Sequence, residues 1–330
     1  MIQRKLSSLN LPWPVDWDAL FGVARSRLIL EIGFGNGDYL MHLAHSNPDA
    51  HVIGVEIANQ SLEKAESKIR HQRLVNACVV LSRGETALHH LFRPASLDEV
   101  HVNYPDPWFK TRHAERRLMQ RATLEAITSR LKMGGHFYLA TDILEYARMS
   151  DELLRSIPGL VNLLPAPWLD ALPGRILTKY EEKGQREGRP GKYFHYQRSA
   201  EPGPLVPLME EIEMPHVVLQ TPLTLPQIAA RFEKLAHQAG NGIHVAITHA
   251  FVDAKETALL FEANIEEPTI DQHVALLLTA RETPGEYTLR FSTIGIPRPT
   301  LGLHRATGFL ADWVVGLHPA GRIVERKVRA

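Results

Sequence analysis

Cysteine is nearly absent. Cys78 stands alone in 330 residues, which excludes an intrachain disulfide and any zinc cluster built from several thiolates. Both exclusions fit a reducing cytoplasm. Net charge is missing as well, because 37 Lys+Arg balance 37 Asp+Glu. A chain that binds nucleic acid over its whole surface is basic, so any such contact here must use a local patch. No apolar run approaches the ~20 residues of a membrane helix. The N-terminal MIQRKLSSLNLPWPVDW lacks the uninterrupted apolar core of a signal peptide. There is no internal repeat and no low-complexity tract. A cytoplasmic protein without a membrane partner is expected.

The remaining composition, 44% hydrophobic and 22% charged, is that of a globular protein long enough for two domains. Charge is not evenly spread. Residues 1–204 carry 26 Lys+Arg against 23 Asp+Glu, and residues 205–330 carry 11 against 14. The basic surplus lies in the first part.

That first part alternates strand-like and helix-like segments. RLILEIGF (27–34), HVIGVEI (51–57), ACVVLS (77–82), LDEVHVNY (97–104) and HFYLAT (136–141) read as strands. A helix is expected from Asp38 to His45. A second follows Ser61 as its cap, and a long one over 114–132 is stopped by Gly134 and Gly135. Such alternation implies a doubly wound, Rossmann-like parallel sheet with helices on both faces. Ligands of such sheets sit beyond the carboxyl ends of the strands. Glu31 to Gly37, Glu56, Asp106 and Asp142 all fall there.

A first domain is therefore expected over 1–200, then a proline-rich linker over 201–222 and a second domain over 223–330. The second domain reads as α+β. It opens with a helix over 223–240, capped by Thr224 and ended by Gly240. Four hairpin-connected strands, a final helix and a last strand follow.

LEIGFGNGDY places Gly33, Gly35 and Gly37 directly after a buried strand. Glycines there let the chain turn tightly and let a ligand approach without meeting a Cβ. A dinucleotide site usually spaces them GxGxxG. The GxGxG spacing here, with Glu31 just before it, would repel a pyrophosphate and suits a cation such as S-adenosylmethionine. Glu56, ending the second strand, is placed to take two ribose hydroxyls.

HVNYPDPWFKTRHAERRL (101–118) fixes one carboxylate, Asp106, between Pro105 and Pro107. Trp108 is either packing or the wall of a base pocket. Lys110, Arg112, His113, Arg116 and Arg117 form a local basic run suited to RNA phosphates.

EIGFGNG, NYPDPWFKTRH with ERRL, LATD and TKYEEKGQREG together resemble the tRNA (guanine-N7)-methyltransferase family, over about residues 25–200. These are class I, S-adenosylmethionine-dependent enzymes that act on the guanine at position 46, in the tRNA variable loop. The resemblance implies that Glu31 and Glu56 contact the cofactor beside Gly33, Gly35 and Gly37. It implies that Asp106 sits at the reacting centre against the cofactor. Lys110, Asp142, Thr178, Lys179, Tyr180 and Glu181 would bind the substrate. The family carries an acid after the third strand where this chain has Gly84. Glu85, one place later, is the substitute, or backbone groups hold the adenine. A proline before the threonine segment is also replaced, in RILTKYE.

Guanine N7 has a lone pair and no proton, so its methylation needs alignment and a suitable field rather than a base. Asp106 and Asp142 are expected to accept hydrogen bonds from guanine N1–H and its amino group. Two other function classes stand beside the enzyme: a non-catalytic RNA-binding protein on the same fold, which Gly84 favours, and a nicotinamide-dependent dehydrogenase. The scattered histidines of residues 205–330 suggest no metal site. Monomer and homodimer are both open.

Overall fold

The computed structural model describes residues 5–108, 117–209 and 211–329, with Lys179 described by its backbone alone. The chain divides into two units, Met1–Glu210 and Glu211–Ala330.

The first unit is built on β1 (Lys5–Ser7), β2 (Arg27–Ile32), β3 (Ala50–Glu56), β4 (Ala77–Leu81), β5 (Leu97–Asn103), β6 (Leu131–Thr141), β7 (Leu160–Asn162) and β8 (Lys192–Arg198). Among the described residues these form one sheet in the order β1-β4-β3-β2-β5-β6-β8-β7. β1 to β6 pair in parallel, and β8 and β7 add an antiparallel edge. Ile29, Leu30 and Val52 are wholly buried, as strands covered on both faces require. The order reverses between β2 and β5. Crossovers leave in opposite directions there and open a crevice at the carboxyl ends. Glu31 pairs in register with His101 beside that crevice.

Three expected boundaries shift. Ser61 lies inside the first turn of the helix Asn59–His71 rather than capping it, because the Glu56 carboxylate already accepts from Ile57 N and Ala58 N just before it. The long helix is Arg121–Arg130 among the described residues. Gly134 and Gly135 do not stop it. They lie in β6, where pairing with β5 slips between Leu97 and Glu99 and Gly134 takes φ +80°. The expected linker is also structured: residues 216–220 form a strand, and the carbonyls of Val206 and Pro207 accept from the buried Arg130 guanidinium.

The second unit is an antiparallel sheet. Its strands are β9 (His216–Gln220), β10 (Leu235–Gln238), β11 (His244–Val252), β12 (Ala258–Glu267), β13 (Ile270–Ala280), β14 (Glu286–Phe291) and β15 (Arg322–Lys327), in the order β10-β11-β12-β13-β14-β9-β15. Leu259, Phe261, Ala263 and Ile265 alternate inward along β12 and pack with Leu310 and Val314 of the helix Leu301–Gly316. The helix expected over 223–240 ends at Ala229. Asn241–Gly242 supplies two positive φ angles, and the hairpin they turn converts Leu235–Gln238 into a strand. No helix among the described residues is long and apolar enough to cross a membrane.

Candidate functional site

The crevice at the β2/β5 reversal gathers the glycine loop and the YPDPW turn. Gly33 and Gly35 adopt φ +73° and +56°, and a Cβ on either would meet nothing within 4 Å. They leave open space over the loop. Gly37 is different: at φ +80° its added Cβ would stand 2.8 Å from Ala65 Cβ, so it lets the helix Asp38–Ser46 pack on the next one. Glu56 Oε2 accepts from Gly35 N at 3.2 Å, while Oε1 takes Ile57 N at 2.8 Å. One carboxylate thus orders two loops.

Glu31 is 1% exposed. Asn103, at the end of β5, donates its amide to Oε1 at 2.9 Å across the reversal, and Oε2 is buried with no hydrogen-bond partner among the described residues. Burial pushes the Glu31 carboxyl up to about 7, against the Asn103 hydrogen bond and the Arg175 charge. A buried, half-satisfied carboxylate at a ligand crevice is incomplete without a donor, and a cationic group completes it.

Asp106 is exposed, and its Oδ1 accepts from Trp108 N at 3.1 Å. Tyr104 and Trp108 on either side of it hold φ +51° and +42°. Arg117 secures this turn, donating to the carbonyls of Pro107 at 3.0 Å and Trp108 at 3.2 Å. In the run read as suited to RNA phosphates, Arg117 thus directs two of its guanidinium nitrogens to the turn itself. Lys110, Arg112, His113 and Arg116 lie outside the described residues.

Gly84 is buried, and a Cβ there would stand 2.8 Å from Ile32 Cγ2. A side chain at that position would have to displace Ile32. Glu85 follows in the same turn and stands 3.6 Å from Arg83 Nε.

The TKYE segment begins the helix Lys179–Arg186. Thr178 and Glu181 form a reciprocal capping box, with Glu181 Oε2 accepting from Thr178 N at 2.6 Å. Glu181 Oε1 also takes Arg175 Nη2 at 2.8 Å, Tyr104 OH at 3.0 Å and Tyr193 OH at 3.3 Å. Burial alone would raise the Glu181 pKa; Arg175 and the Thr178 amide outweigh it and hold it below the usual range. Thr178 and Glu181, assigned to substrate by resemblance, cap the helix here, and Glu181 also holds Arg175, Tyr104 and Tyr193. Tyr180 is 51% exposed, with its ring 5.0 Å from that of Tyr104. Asp142 Oδ2 accepts from Arg189, and Oδ1 has no partner among the described residues.

Four residues at the site escaped the sequence reading: Tyr39, Asn103, Arg175 and Tyr193. Arg175 joins both halves of the site. Its guanidinium lies 4.2 Å from the Tyr39 ring centre and 5.2 Å from that of Tyr193, and it pairs with Glu181. The signal was present for Asn103, the first residue of NYPDPW, and for Arg175, which precedes TKYE, but a buried cation between two motifs has no pattern of its own.

The family profile described as "Putative methyltransferase" matches residues 25–193. A tRNA (guanine-N(7)-)-methyltransferase of Thermus thermophilus is 34% identical over 304 residues, 91% of this chain and 92% of its own. The enzyme of that name from Ralstonia pickettii is 38% identical over 195 residues, 56% of this chain and 75% of its own. Among solved structures, the 16S rRNA methyltransferase KamB aligns with a TM-score of 0.42 and 16% identity, over 60% of this chain and all of its own. The Thermus relative extends through most of both units. The chain belongs to the tRNA (guanine-N7-)-methyltransferase family.

Proposed function

We propose that this chain methylates N7 of a guanine in tRNA, at position 46 of the variable loop, with S-adenosylmethionine as donor. The observation that carries the reading is Glu31, a buried carboxylate with one unpartnered oxygen beside an open glycine loop. It fits the cofactor's ammonium group. The nearby Glu56 suits the ribose hydroxyls, and Ile57, 69% exposed beside it, offers an apolar face to the adenine. When bound, the cofactor supplies an electrophilic methyl group on a sulfonium.

The chain's own residues orient and stabilise. Guanine N7 carries no proton, so no side chain has to remove one. Asp106 and Asp142 each keep one oxygen without a partner among the described residues. Those oxygens accept from guanine N1–H and the amino group, which selects guanine over adenine and presents N7. Positive charge reaches the purine during transfer, and the Asp106 carboxylate stabilises it. Tyr104 and Tyr180 wall the base, and Lys110 and Lys179 take phosphate. Thr178 and Glu181 act through the helix and the Tyr104 hydroxyl that they position.

Neither alternative has support. A carboxylate at Glu31 opposes a pyrophosphate, and Gly84, which favoured a non-catalytic protein, is set by the Ile32 contact. The buried thiol of Cys78 suits the cytoplasm. Labelled S-adenosylmethionine and unmodified tRNA, followed by N7-directed strand cleavage, test the reaction. Cleavage at the variable-loop guanine is expected, and no label in any tRNA with such a guanine would refute it. Asp106→Asn with near-wild-type turnover would remove the orienting role.

A further inference from the structure

At the amino edge of the first sheet, a cavity of about 360 Å³ is lined by four cations, Arg25, Arg27, Arg93 and Lys132. β2 and β6 begin there, so the cavity and the glycine loop lie at opposite ends of β2, about 20 Å apart for a six-residue strand. It belongs to none of the machinery above.

Two of the cations are committed. Arg27 binds Glu99 and Asn47 Oδ1, the latter at 2.8 Å, and Lys132 Nζ lies 2.7 Å from Asp98 Oδ2. The other two are not. Arg93 has no side-chain partner among the described residues, and Arg25 spends one Nη on the Pro48 carbonyl. Two acids also line the cavity, and both are engaged. Asp16 Oδ1 accepts from Ala19 N at 3.0 Å, and Asp18 Oδ1 accepts from Arg25 N at 3.1 Å and lies 2.8 Å from His51 Nε2.

An independent observation points the same way. Arg25 Nε and Trp17 Nε1, both on residues of the cavity wall, are buried N–H donors with no acceptor. Trp17 is 6% exposed. Neither atom is itself open to the cavity, but together they mark a wall with more donors than acceptors beside an uncommitted arginine. The missing group is anionic, offers several oxygens, and matches the planar guanidinium fork.

We propose that this cavity binds a phosphoryl group, supplied either by the tRNA backbone at a point remote from the methylated guanine or by free phosphate. The tRNA source rests on the reading of tRNA as substrate; the anion site does not. A backbone phosphate seated here gives the enzyme a second anchor behind the sheet and contributes to tRNA affinity without touching the chemistry.

The test uses Arg93→Gln in the full chain, which removes the charge from an exposed side chain that supports nothing else. Methylation of tRNA is measured against salt, and inorganic phosphate is titrated into both proteins by calorimetry at constant ionic strength. If the source is tRNA, KM rises by ~5-fold at unchanged kcat and the slope of log KM against log salt falls by about 0.7–0.9, the loss of one phosphate contact. If the source is free phosphate, the wild type binds phosphate, Arg93→Gln binds it more weakly, and tRNA KM stays the same. Equal KM and slope with no phosphate binding in the wild type overturn the proposal. A wild type that binds phosphate and leaves tRNA unmethylated refutes the substrate reading and keeps the cavity.

Discussion

If the cofactor's ammonium group sits on Glu31, as proposed, cofactor binding is a proton-linked event. Its carboxyl is pushed up to about 7 by burial, so about half the protein is protonated there at neutral pH. A cation at the unpartnered Oε2 favours the carboxylate and expels that proton. Release should be about half a proton at pH 7 and approach one at pH 6. Affinity should fall ~10-fold for each pH unit below 7, or about 1.4 kcal/mol. The measurement is calorimetry of S-adenosylhomocysteine binding in buffers of different ionisation enthalpy, between pH 5.5 and 7.2. Above that range the ligand's own amino group titrates. Stability gives a second readout. A carboxyl raised from 4.5 to about 7 binds more protons folded than unfolded across that window. Stability is thus full below about 4.5 and is lost as pH rises through 7, by ~3 kcal/mol at most. Glu31→Gln removes this penalty, so the ligand-free variant is more stable than the wild type at pH 8 and equal to it at pH 4.5. It also loses the proton release and most cofactor affinity. No proton release at pH 6–7, together with a flat affinity, would refute the reasoning.

Arg175→Met leaves Glu181 buried without its cation and removes a positive charge that acts on Glu31; a loss of about 3–5 kcal/mol in urea unfolding is expected, with activity abolished. Arg117→Met frees the YPDPW turn, so kcat should fall by about 10²-fold while the salt dependence of tRNA binding stays the same; a changed salt slope at full kcat would return Arg117 to the phosphate ligands. Gly84→Ala forces a methyl group against Ile32 and should cost about 1–3 kcal/mol, read by denaturation midpoint. Burial and the neighbouring His136 hold the His195 pKa down to about 4. Its folded form binds fewer protons than its unfolded form between pH 4 and 6.5, so stability falls as pH drops through that window, and His195→Gln should flatten this acid limb in a thermal scan.

The parallel sheet and its ligand edge were legible because both follow from local pattern. A buried strand ending in three glycines announces a tight turn at the ligand edge, and the alternation of elements is enough to put Glu31, Glu56 and Asp106 at that edge. What was illegible depended on partners distant in sequence. Asn103 meets Glu31 across 72 positions, and Tyr104 meets Glu181 across 77. The helix expected over 223–240 failed for a local reason: the Asn241–Gly242 turn outweighs helical periodicity when a strand such as β11 stands ready to pair. The bonds of Arg117 to the turn were illegible for another. In a run of cations, sequence cannot separate the one that folds back onto carbonyls from those left to solvent.

The rigidity of Asp106 also has a different origin from the one its prolines suggest. Pro105 and Pro107 restrict their own φ angles, but the unusual conformations are those of Tyr104 and Trp108, left-handed at +51° and +42°. Non-glycine residues held there cost about 1–3 kcal/mol each and persist only where surroundings over-determine them. Both have such surroundings. The Tyr104 hydroxyl is tied to Glu181, itself fixed by Arg175 and the Thr178 cap, and the Trp108 carbonyl is tied to Arg117. The carboxylate is therefore aimed by a frame that reaches into the TKYE helix on one side and to Arg117 on the other. The Arg175 charge also opposes the burial-driven rise of the Glu31 pKa, so the guanidinium acts electrostatically on both carboxyls. Neutralising Glu31 in Glu31→Gln should shift the Arg175 guanidinium resonances in an NMR spectrum, and unchanged resonances would remove any link between the two ends of the crevice through Arg175.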